Sequence, residues 1–113
     1  MNLNSEKLKS DIKAAISMYT AKPAEAMPGY DEKLLSRVIA RVENLVFHFG
    51  TGLITKETVD FLMEGIEKAE SDLIDAVCAD NVFAHGKAMF AVGFVVRKTL
   101  SDLTGMNLVK QGG

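Results

Sequence analysis

The sequence predicts an all-α protein folded as a four-helix antiparallel bundle, on three observations. Apolar residues recur at three- and four-residue spacing through most of the chain. The two prolines, Pro23 and Pro28, lie close together, so the remainder of the 113 residues lacks the residue that breaks helices. The stretches joining the later periodic segments are short, which makes consecutive helices antiparallel neighbours.

The first helix is expected over residues 5–21. Leu8, Ile12, Ala15, Ile16 and Tyr19 share one face, and Ser5 is placed to accept a hydrogen bond from an otherwise unpaired first-turn N–H. It must fail before Pro23, and KPAEAMPGYD reads as a loop. Asp31 caps the second helix, residues 32–49, whose stripe runs Leu34, Leu35, Val38, Val42, Leu45, Val46, Phe49 before Gly50 stops it. Thr55 caps the third, residues 56–79, with Ile54 and Val59 as a hydrophobic staple. Its stripe of Val59, Leu62, Ile66, Ala69, Leu73, Ala76 and Val77 keeps phase past Ser71, so one helix is expected and not two. Asp80 caps the fourth, residues 81–104, which Gly105 ends. Residues 1–113 form one helical domain, with 106–113 as a frayed tail.

The fourth helix carries more apolar surface than a bundle of this size readily covers. Projected at about 100° per residue, Val92, Val96, Met89, Val82, Leu100, Gly93, Gly86, Phe90, Phe83 and Phe94 fill an arc wider than half a turn. Lys87 and Lys98 mark the wet side, with Ala84, Ala91 and Val95 flanking them. MFAVGFVV also fits a strand by composition, and the helical context decides against it. Gly86 and Gly93 lie on one face, and each costs roughly 1 kcal/mol against alanine inside a helix. Close approach of another backbone compensates such a cost, from Gly65 or from a second chain. The expectation is a homo-oligomer, most simply a two-fold dimer, with Gly86, Met89, Phe90 and Gly93 at the self-interface.

Composition narrows the function classes. A net charge of −2 speaks against general nucleic-acid binding. The start, MNLNSEKLKSDIK, lacks a secretory pattern, and the uncharged run from Ala88 to Val96 is too short to span a bilayer. Cys78, the single cysteine, excludes an internal disulfide and makes no zinc site alone. A cytoplasmic protein without cofactor or metal is expected.

Three groups of residues invite a chemical reading. Arg37, Arg41, Asn44 and His48 form one stripe beside the apolar face of the second helix, able to hold a phosphate or carboxylate through the guanidinium fork. The competing expectation is a salt-bridge strip with the acids of the third helix. There Asp60, Glu64, Glu67 and Asp75 share a face, usually a solvated one and otherwise a cation site. His85, on the apolar arc, reads as a satisfied core residue, and Cys78, Asp80 and His85 fall short of a metal-ligand set.

Two fragments resemble enzyme families. Glu64 and Glu67 resemble the first acidic pair of all-α nucleotide pyrophosphohydrolases of the MazG type, which would imply a divalent metal. The second pair is missing, since from residue 81 onward the only acid is Asp102. Arg41 and His48, with six residues between, resemble the Arg…His spacing of HEPN ribonucleases, although Val42 stands where that family carries a polar residue. The leading expectation is a non-enzymatic accessory or regulatory protein that works by protein–protein association. The alternative is a small helical enzyme acting on a nucleotide or RNA.

Overall fold

The computed structural model describes residues 2–52, 54–79 and 81–109. Four α-helices pack against one another: α1 (Ser5–Thr20), α2 (Glu32–Gly50), α3 (Lys56–Val77) and α4 (Val82–Thr104). One 3-10 turn, Ala24–Ala26, lies between α1 and α2, and no strand occurs among the described residues.

The helix starts follow side-chain chemistry. Asp31 and Thr55 accept from the backbone N–H groups of Lys33 and Thr58, as expected of N-caps. The first helix is capped one residue earlier than expected. Asn4 has extended backbone and its Oδ1 accepts from Lys7 N–H at 3.0 Å. Ser5 therefore sits inside the first turn, where its hydroxyl donates to Glu43 of α2 at 3.2 Å. At α4 the cap is Asn81, accepting from Ala84 N–H at 3.0 Å; Asp80 lies outside the described residues.

The ends are set by backbone geometry. Gly105 takes φ 75 and donates to Ser101 O, the left-handed stop that glycine permits. Gly50, expected to stop α2, is its last helical residue, and the left-handed position falls on Gly52 at φ 74. The third helix ends at Val77, two residues short of the expected boundary, with Cys78 N–H closing on Ile74 O.

Cross-helix contacts give the direction of packing. Asp75 meets His85 and Glu67 meets Arg97, partners whose numbers move in opposite senses along α3 and α4. Arg41 of α2 lies over Gly65 of α3, each about midway along its helix. The fourth helix also packs along α1, which joins the two ends of the chain. The core is a set of ladders: Leu8, Ile12 and Ile16; Leu35, Val38, Val42 and Leu45; Ile66, Leu73 and Ile74; Ala88, Val92, Val96 and Leu100. Each Leu, Ile or Val so buried contributes on the order of 1.5–3 kcal/mol against an exposed one. The whole measures 42 × 29 × 19 Å.

The orientation of α4 differs from the expected one. The buried residues are Ala84, Ala88, Val92, Val96 and Leu100, a ladder with a step of four, and Ala91 and Val95 pack partly buried against the core. Ala84, Ala91 and Val95, expected to flank a wet side, are thus part of the seam. Val82, Phe83, Phe90 and Phe94 are exposed instead. Small side chains explain the choice, because Ala84 and Ala88 let neighbouring helices approach α4 more closely than phenylalanines would.

The segment after Gly105 lies against the bundle as far as it is described. Met106 and Leu108 pack on the core, Arg97 Nη1–H donates to Leu108 O at 3.1 Å, and Leu108 N–H donates to Ser101 Oγ at 3.0 Å. Residues 110–113, the rest of the tail expected to fray, lie outside the described residues. No described helix is long and apolar enough to cross a membrane.

Candidate functional site

The outward face of α4 carries three exposed phenylalanines in one stripe. Phe83 is 87% exposed, Phe90 64% and Phe94 47%, although soluble chains bury most large aromatics. They lie on one side of the helix because their spacings of seven and four residues each return close to the same direction. Lys87 and Lys98 stand among them, and Lys98 is held by Asp102 at 2.8 Å.

Phe90 and Phe94 form a ridge between two grooves. On the α3 side a cavity of about 280 Å³ runs over Gly93, between Glu67 and Glu70 of α3 and Met89 and Arg97 of α4, with Val109 also lining it. Glu70 is a buried carboxylate, only 3% exposed. Arg97 reaches over the cavity to Glu67. On the α1 side a shallower groove is lined by Met18 and Tyr19, both exposed, with the Lys7–Asp11 and Lys98–Asp102 ion pairs at its rim.

Among the described residues the two glycines on this face have no compensating contact of the expected kind: a Cβ at Gly86 would meet none of them within 4 Å, and one at Gly93 would meet Glu70 Oε1 at 3.9 Å. Gly65 serves a different contact. Its missing side chain makes room for the Arg41 guanidinium, whose Nη1 would lie 2.9 Å from a Cβ there.

Of the residues singled out for self-association, Met89, Phe90 and Gly93 line one cavity, while Gly86 lies in the open a turn away. The stripe on α2 behaves differently from the expected salt-bridge strip. Arg37 and Arg41 are exposed, and neither forms an ion pair among the described residues. Arg41 and Asn44 share a cavity of about 220 Å³ with Phe61, Glu64 and Lys68. His48 is turned back on its own helix, its Nδ1 lying 2.9 Å from Asn44 O and its ring edge-on to Phe47.

The acidic face of α3 is divided. Asp60 and Glu64 are exposed, whereas Glu67 and Asp75 turn to Arg97 and His85 of α4. That turn explains the missing strip with α2, because two of the four acids brace the other neighbour. No group of three or more His, Cys, Asp or Glu placed to hold a metal occurs among the described residues. His85 is half-buried, with Nε2 at 2.5 Å from Asp75 Oδ1. Cys78 is buried, and burial pushes its thiol above the usual range, so it is a poor nucleophile.

Phe90, expected at a self-interface, is exposed, and so are Phe83 and Phe94 of the same arc; one signal in the sequence marks all three. Lys87 and Lys98 project into the same arc as Phe83, Phe90 and Phe94, and two ammonium groups keep that arc out of a core. The chain matches no known protein family, no curated protein and no solved structure.

Proposed function

We propose that the protein acts by binding and not by catalysis, as a small cytoplasmic accessory or regulatory protein that self-associates through the outer face of α4. The observation that carries this reading is the exposure of Phe83, Phe90 and Phe94 in one stripe. Contiguous exposed apolar surface beside charged residues is the mark of an association site on a soluble protein. Aromatic side chains also supply much of the energy of such contacts. The exposed Arg37 and Arg41 on α2 and the exposed Asp60 and Glu64 on α3 offer separate charged surfaces to a protein partner.

Light scattering of the purified chain tests self-association. The expected molar mass is about twice the 12.3 kDa of one chain. Phe90→Glu is expected to return it to the single-chain value, because a buried carboxylate at the centre of the contact costs several kcal/mol, on the order of 10²-fold or more in affinity. A wild type that stays at the single-chain mass up to millimolar concentration removes the proposal.

A further inference from the structure

Along its outer face α4 alternates large and small residues: Phe83, Gly86, Phe90, Gly93. The spacings of three, four and three are those of the two seam positions of a heptad, with phenylalanine at one and glycine at the other over two heptads, before Arg97 and Leu100 take the same positions. A seam needs each large side chain to enter a hole on the facing helix. The holes exist: Gly86 is open, and Gly93 lies in the cavity of about 280 Å³ between α3 and α4. The knobs exist as well, since Phe83 and Phe90 project from the helix.

Direction follows from size. In a parallel two-fold pair each seam position meets its own equivalent, so layers of two phenylalanines would alternate with layers of two glycines, overfilled and then void. In an antiparallel pair crossing at the level of Ala88, position 83 meets 93 and position 86 meets 90. Every layer then holds one phenylalanine and one glycine.

We infer that two copies of the chain pack α4 against α4 in this antiparallel register, Phe83 of one copy filling the cavity over Gly93 of the other and Phe90 resting on Gly86. The inference rests on the self-association proposed above and adds its geometry. A second copy fits better than a foreign partner for two reasons. The pattern is complementary to its own reverse, as an isologous contact requires. The rim carries both signs in the Arg97–Glu67 and Lys98–Asp102 pairs, and the like charge that a copy brings near the crossing is Lys87. Lys87 projects beside Phe94, away from the glycine side, and keeps its ammonium in water.

Exchanging knob and hole tests the register. Phe83→Gly and Gly93→Phe are each expected to lower the molar mass from about twice 12.3 kDa to the single-chain value. The double variant restores the dimer, because Phe at 93 then faces Gly at 83. A dimeric wild type whose double variant is folded by circular dichroism yet monomeric overturns the register and leaves self-association standing. A monomeric wild type overturns both.

Cross-linking supplies an arm that does not depend on Gly93 tolerating a ring. Phe83→Cys and Gly93→Cys are prepared separately and treated with a short bis-maleimide, alone and mixed; Cys78, buried with a raised thiol, stays silent. Cross-linked dimer in the mixture only is the expected result. Cross-links in each variant alone, with none added by mixing, would mean a parallel pair and sink the inference.

Discussion

Gly29 shows how one missing side chain fixes a loop. A Cβ there would lie 1.8 Å from the carbonyl oxygen of Ala76, a backbone atom that cannot swing aside. Gly29→Ala is therefore expected to push the 21–31 connection off the end of α3, at a cost of about 1–3 kcal/mol, read as a lower urea midpoint. Tyr30, next in sequence, gives a pH signature. Burial, first, and the hydrogen bond to the Glu32 carboxylate, second, push its phenol up to about 12 from 10.0. A raised folded-state value favours the neutral form, so this contribution is intact below about pH 10 and fades as pH climbs through 12. Following phenolate absorbance at high pH should show one tyrosine that ionises only near pH 12, and Tyr30→Phe should remove that step. Neither feature can be read from the sequence, where Pro28-Gly29 marks a turn without saying what presses against it.

Among the helices, legibility depended on how strongly one face contrasted with the other. The second and third have clear apolar stripes with charge opposite, and both their existence and their N-caps were correctly expected from the chain alone. From Val82 to Val96 of α4 all residues but His85 and Lys87 are apolar or glycine. The wide arc therefore did not say which part of it the chain itself covers, and Ala84, Ala91 and Val95 were placed beside the wet side. Close packing prefers fit to bulk, and the alanines won. Ala88→Leu tests that order of importance. It adds three carbons to a fully buried site and should cost about 1–3 kcal/mol, seen as a lower melting temperature in thermal unfolding. Cap identity was off by one residue at α1, because Asn4 and Ser5 are both good caps and only backbone conformation separates them.

For the molecule as a whole, the fold class was legible and the candidate site only in part. The alternation of phenylalanine and glycine at 83, 86, 90 and 93 stands in the sequence, but the cavity beside Gly93 needs α3 and the returning segment at Val109 to exist. The packing of α1 on α4 has a further consequence, for synthesis. Helix α1 is made before the other three, yet its main partner among them is α4, which is made after them. Until α4 emerges, Leu8, Ile12 and Ile16 have only part of their final surroundings, and the contact that completes them spans most of the chain. Contacts so distant in sequence close slowly because the intervening chain must lose its freedom first. The nascent chain thus carries a waiting amphipathic helix, and completion of its core is postponed until α4 has been made.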